Sequence, residues 1–208
     1  MGKILLPILG TYTTDYYRNW FVQHNVEVEE VPFDFVELNE FLPNRFNEIL
    51  PRLDSLLEFL ADRSEEIVVP NITLHESLEM HETYTGLDDR LLHPVHLLGA
   101  KLKNERVSTI TIFGSEYTMT SGYVARILDK YDVSVNELDS TLREKVDTLR
   151  KMVYSGKDYS ALLDEVISDM QKIDFPIALA CTELSVAIPR SPNVYDMVDI
   201  QLEGTLNG

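Results

Sequence analysis

The chain has 208 residues, 44% hydrophobic and 25% charged, with a formal net charge of −17 at pH 7. That size and balance belong to a folded protein with one large domain or two small ones, and they exclude a disordered chain. The charge argues against nucleic acid and anionic membranes as partners, because both need a basic footprint.

Ile4 to Leu9 is a short apolar run ending at Gly10, the pattern of a first buried strand. It is too short for a signal peptide and is broken by Pro7, and no stretch reaches transmembrane length. Thr11 to Asp15 is rich in helix-capping residues, and Tyr16 to Gln23 reads as a helix. A Gly10-to-Thr14 turn between strand and helix is a common anion cradle, so Gly10, Thr11 and Thr14 are candidate ligand residues. No Walker or GxGxxG pattern is present. Val26 to Phe35 contains a second strand. Arg45 to Ala61 carries an amphipathic helical pattern through Ile49, Leu53, Leu56, Leu57 and Leu60, with Pro51 expected to kink or divide it.

Glu66 to Pro70 reads as a third strand leading into Asn71-Ile-Thr-Leu-His75, with helix over 77–82 and 93–102. Val107 to Phe113 is a strand, followed by a hydroxyl-rich turn, Gly114 to Gly122, and a helix to Lys130. Val133 to Leu138 is a strand, and two acidic amphipathic helices span 140–153 and 159–172, read as solvated faces. Ile177 to Ala180 is a buried strand reaching Cys181, and Val194 to Val198 is the last strand.

The alternation of strand and helix favours parallel sheets with right-handed crossovers. The pattern runs twice: Gly10-Thr11 and Gly114-Ser115 are the early turns, and Asn71-Ile-Thr and Cys181-Thr-Glu are the late ones. The expected architecture is α/β, with two pseudo-symmetric domains flanked by helices. The first half is 1–90, completed by 191–208; the second is 91–190.

Cys181 is the only cysteine. It excludes an intrachain disulfide and points to a reducing, cytoplasmic compartment. A thiol at the carboxyl end of a strand, facing a helix start, sits where open α/β sheets place ligands, and helix amides favour the thiolate. A small core residue is the equally weighted alternative. Glu183 either caps the following helix or tunes the thiol. His75 is either a proton relay or a hydrogen-bonded structural histidine. His75, Glu79, His81, His93 and His96 match no standard metal spacing, so no metal is expected. Asp15 and Asp199 read as capping or supporting groups.

These motifs resemble the aspartate/glutamate racemase superfamily, which includes hydantoin racemases, maleate isomerases and arylmalonate decarboxylases. Ala180-Cys-Thr-Glu-Leu184 is similar to its G-C-T-E-[LI] motif. Gly114-Ser-Glu-Tyr-Thr118-Met-Thr-Ser121-Gly122-Tyr123 is similar to G-T-x-x-T-x-x-S-G-x-Y. Pro70-Asn-Ile-Thr-Leu-His75 stands for P-C-N-T-x-H, and the N-terminal turn is reduced.

The resemblance implies a cofactor-independent enzyme acting on a small acidic substrate in the cleft between two domains, and a homodimer. It implies that two cysteines exchange protons with opposite faces of the substrate, with Cys181 as one of them. Ser115, Thr118, Thr73 and Thr182 would hold carboxylate or amino groups. The other cysteine's position is Asn71, which cannot exchange protons near neutral pH, and Ile72 replaces the family's asparagine. Four activities follow. They are racemisation with Thr73, His75 or water on the second face, decarboxylation with protonation from Cys181, isomerase or lyase chemistry on another acid, and binding without turnover.

Overall fold

The computed structural model describes residues 3–206 apart from 9, 10, 34, 36, 37, 39, 44, 82, 83 and 88; the side chains of Thr11, Tyr12 and Thr85 also lie outside the description. The chain divides into two compact units, Met1–His93 with Gln201–Gly208, and Pro94–Ile200. The segment 191–208 was expected to complete the first half. Residues 191–200 instead stay with the second unit, because the strand Val194–Asp196 pairs there, and only the last residues return to the first.

The first unit is built on three parallel strands: β1 (Ile4–Pro7), β2 (Val28–Val31) and β3 (Glu66–Ile67), in the order β2-β1-β3. All four residues of β1 are buried, as its central place in the sheet demands. Helix α1 (Thr11–His24) joins β1 to β2, and α2 (Phe46–Ala61) precedes β3. Ile49, Leu53, Leu56, Leu57 and Leu60 form the buried stripe of α2, as their spacing requires. The helix runs on through Pro51, which removes one intrahelical donor without dividing it. That stripe packs with Leu5, Val31, Ile67, Val69, Leu74 and Leu78 in one apolar cluster. Helix α3 (Ile72–Glu79) follows β3, starting five residues before the expected 77.

The second unit repeats the plan. Helix α4 (Pro94–Asn104) leads into β4 (Thr109–Phe113), and α5 (Glu116–Thr120) and α6 (Tyr123–Asp129) lead to β5 (Ser134–Asn136). Helices α7 (Ser140–Tyr154) and α8 (Ser160–Met170) precede β6 (Ile177–Leu179). Helix α9 (Thr182–Ala187), β7 (Val194–Asp196) and α10 (Met197–Gly204) complete it. The four strands are parallel in the order β5-β4-β6-β7. The first three follow the order seen in the first unit. A parallel bridge between Ile67 and Leu91 stands where β6 pairs with β7. The expected internal repeat is therefore present as two sheets of the same topology.

The turn 114–122 contains a helix, α5, that its sequence does not announce. The acidic helix α7 is not simply a solvated face. Leu142, Val146, Leu149 and Val153 are buried with Phe113, Ile177, Leu179 and Leu184. Among the described residues, no helix is long and apolar enough to cross a membrane.

Leu57 is fully buried in the α2 cluster. Leu57→Ala is expected to lower unfolding free energy by about 2–5 kcal/mol, read from denaturant or thermal unfolding. A loss below about 1 kcal/mol would mean that the stripe is not the core of the first unit.

Candidate active site

A parallel sheet sends each strand's carboxyl end toward the start of the next helix. In the second unit, β4 and β6 are neighbours, so their exits lie side by side. The Ala180 N–H donates to the Phe113 carbonyl at 2.7 Å just beyond the paired residues. Gly114 follows. A Cβ there would stand 3.3 Å from the Ala180 Cβ and 3.1 Å from the Thr118 Cβ, closer than side chains normally pack. The absence of a side chain at Gly114 and the small one at Ala180 let the two turns approach.

Ser115 ends the β4 exit as the N-cap of α5, and its Oγ accepts the Thr118 N–H at 3.1 Å. Its hydroxyl also shares a 2.8 Å hydrogen bond with the Thr118 hydroxyl. Both expected ligand hydroxyls are thus held together, with Thr118 buried. Gly122 takes a φ of 75°, the left-handed conformation that opens α6.

Cys181 ends the β6 exit as the N-cap of α9, in extended backbone with φ −162° and ψ 152°. Thr182 and Glu183 follow in the first turn, both buried. The residue as a whole is only partly buried, yet desolvation is the largest influence on its thiol. Desolvation pushes the Cys181 pKa well above the ordinary thiol value. The Glu183 carboxylate adds to the rise through its charge and a hydrogen bond, while the Leu184 N–H and the Arg150 charge oppose it. The helix start, expected to favour the thiolate, is opposed here by desolvation, which favours the protonated thiol, and by Glu183.

Sequence reading missed Arg150. It lies on α7, the helix packed against α9, and pairs with Asp147 at 3.0 Å. Asp147 also holds Lys151 and accepts the Glu116 N–H at the start of α5, so α7 braces both turns. Nothing in an i, i+3 acidic–basic pair on an amphipathic helix distinguishes this role from an ordinary surface pair.

In the first unit, Asn71 is the exact counterpart in backbone terms: an extended N-cap with φ −157° and ψ 111° just after a strand. Its carboxamide oxygen accepts the Leu74 N–H at 2.9 Å. Thr73 is half-buried in the first turn of α3, and Thr14 is buried on α1. The ring of His75 is fully buried, with Nε2 3.0 Å from the Val69 carbonyl, and it meets His93 in a T-shaped contact at 4.4 Å between centroids. This is the geometry of the structural alternative, with no exposed edge for a proton relay. Gly10 and the Thr11 side chain lie outside the described residues. Asp15 pairs with Arg18, and Asp199 with Arg190.

The two α/β units of one topology make a fold shared with solved structures of Asp/Glu racemases and their homologues. A candidate Asp/Glu racemase from Yersinia pestis superposes with a TM-score of 0.83 over 100% of this chain and 98% of its own, at 20% identity. An aspartate racemase homologue from Pyrococcus horikoshii OT3 gives 0.74 at 16% identity over 100% and 98%. The Picrophilus torridus aspartate racemase gives 0.72 at 17% identity over 99% and 94%. A maleate isomerase from Pseudomonas putida S16 is more distant, at 0.52 and 10% identity. No protein-family model and no curated protein matches the sequence.

Glu183→Gln removes a negative charge and a hydrogen-bond acceptor from beside the thiol. It is expected to lower the apparent pKa of Cys181 and speed its alkylation at pH 8, read by intact mass. An unchanged or slower rate would mean that Glu183 does not hold the thiol proton.

Proposed function

We propose that the protein is a cofactor-independent, amino-acid racemase-like enzyme, with Cys181 as the single thiol acid/base on a small acidic substrate. The observation that carries this reading is the Cys181 turn itself. A desolvated thiol hydrogen-bonded to a buried carboxylate follows β6, and the paired hydroxyls of Ser115 and Thr118 follow the adjacent strand β4.

In this reading the hydroxyls of Ser115, Thr118 and Thr182 hold a substrate carboxylate. The thiol first gives up its proton to solvent. The thiolate, supported by the Leu184 N–H and the Arg150 charge, takes the α-proton: the Cα–H bond breaks, an S–H bond forms, and the electron pair moves into the carboxylate. Fixed donors around that carboxylate lower the cost of the developing charge. Return of a proton to the opposite face gives the other enantiomer. Thr73 and water are the candidates for that face, since the ring of His75 is buried.

A second reading is favoured by the resting state of the thiol and by Asn71. A thiol whose burial favours the protonated form, in a chain with Asn71 where a second cysteine would stand, suits delivery of one proton to one face. In a decarboxylase the C–C bond to a carboxylate breaks and carbon dioxide leaves. The electron pair stays on the α-carbon, the thiol proton neutralises it, and water restores the thiol.

The test is α-proton exchange in deuterated water by proton NMR. The panel is both enantiomers of aspartate, glutamate and other amino acids, with Cys181→Ala as control. The racemase reading expects exchange with appearance of the opposite enantiomer and loss of both in Cys181→Ala. Absence of exchange across the panel overturns it for these substrates. Carbon dioxide release from substituted malonates would then establish the second reading.

A further inference from the structure

We propose that Asp196 is a positioning residue for Cys181, acting through the hydroxyl of Ser185. The inference rests on Cys181 being the working thiol, but its test reads the thiol directly and needs no substrate.

Ser185 lies four residues after Cys181, one turn into α9. Its backbone N–H donates to the Cys181 carbonyl at 3.2 Å. Its Oγ lies 3.1 Å from that carbonyl oxygen and 2.8 Å from Asp196 Oδ1. A serine hydroxyl has one proton to give. Both neighbours are acceptors when Asp196 is ionised, so the hydroxyl serves only one of them at a time. The shorter, charge-assisted contact to the carboxylate wins. The Cys181 carbonyl then keeps the backbone donor alone.

Protonation of Asp196 reverses the assignment. A carboxylic acid can donate to Oγ, which frees the serine proton for the Cys181 carbonyl. The first turn of α9 then gains a hydrogen bond at the residue that carries the thiol. Asp196 is thus coupled to Cys181 through two hydrogen bonds.

Among the described residues, groups from three segments face Asp196. Ser185 reaches it from α9. Arg190, from the loop after α9, places Nη1 2.6 Å from Oδ2 and also donates to the Ser185 carbonyl at 2.7 Å. From α10, the helix that follows it, the Val198 N–H donates at 2.9 Å and the Asp199 N–H at 3.4 Å, and the Asp199 carboxylate pairs with Arg190 at 2.8 Å. Desolvation pushes the Asp196 carboxyl up to about 6. The Asp199 charge acts in the same sense, against Arg190, Ser185 and Val198. The exchange of partners therefore falls in the mildly acidic range.

The internal repeat supplies an independent parallel. Ile67 and Ile177 pair with Leu91 and Val194 in the two sheets. Counting four residues on gives Asn71 and Cys181, and four more gives His75 and Ser185; two on from Leu91 and Val194 gives His93 and Asp196. His75 packs on His93 as Ser185 bonds to Asp196, and His93 Nε2 lies 3.0 Å from Glu79 Oε1. Under both N-caps, the fourth helical residue touches a buried titratable group from the next crossing.

The experiment is alkylation by iodoacetamide from pH 5 to 8.5, followed by intact mass; the single cysteine makes each adduct unambiguous. A thiol titrating alone gives a straight line of unit slope in log rate against pH. The wild type is expected to show two parallel segments offset near pH 6 by roughly threefold to tenfold, the scale of one net hydrogen bond. Ser185→Ala is expected to abolish the offset while keeping the carboxylate, Asp196→Asn to abolish it by removing the titration, and Ser185→Thr to keep it. A straight wild-type line overturns the proposal. An offset that survives in Ser185→Ala also overturns it, because another group, such as a histidine, would then be responsible. If Asp196→Asn fails to fold, the two Ser185 variants decide.

Discussion

The close approach of two strand exits, at Gly114 and Ala180, is the constraint on which the second unit's site depends. Adjacent parallel strands bring the exits of β4 and β6 together, and the near absence of side chains at these positions lets the turns pack. Ser115 and Cys181 then cap neighbouring helices from equivalent places. The hydroxyl pair of Ser115 and Thr118 and the thiol of Cys181 therefore come from one packing arrangement rather than from independent loops. The same logic in the first unit places Asn71 and Thr73 after β3.

Two opposing effects act on the thiol, and their sizes decide its state. A helix start favours an anion by about 0.3–1 kcal/mol, and α9 is a single short helix of six residues. Burial of a thiol disfavours the anion by as much as several pKa units, each about 1.4 kcal/mol. A buried carboxylate two residues away adds to that penalty. Desolvation outweighs the helix start and favours the protonated thiol. Arg150 and the Leu184 amide reduce the penalty without cancelling it. A polar substrate that displaces water and brings its own charges would act on this balance directly.

Much of the architecture was legible in the chain. Ile4 to Pro7, Thr109 to Phe113 and Ile177 to Leu179 are apolar runs of strand length, and the stripe from Ile49 to Leu60 fits a helix. The doubled order of turns foreshadowed the two sheets of like topology. The places of Cys181 and Ser115 at strand exits were legible. Ser185, Asp196 and Arg150 were not. Each matters through a partner distant in sequence, and a serine within a helix or an aspartate at a helix start carries no mark of such a partner. Helix α5 was hidden in a run of hydroxyl residues that reads equally as turn. The assignment of 191–200 failed because the pairing of β7 with β6 is a long-range choice, whereas the return of the chain begins only at Gln201.

The central claim is that burial and Glu183 hold Cys181 as a thiol in the resting protein. With a single cysteine, cysteine labelled with carbon-13 at Cβ gives one resonance whose shift reports ionisation. The account predicts a thiol shift that stays constant through pH 8.5 and moves only at higher pH. A shift already moving to the thiolate value below the ordinary thiol pKa of about 8.5 would contradict it and make the helix start the dominant influence.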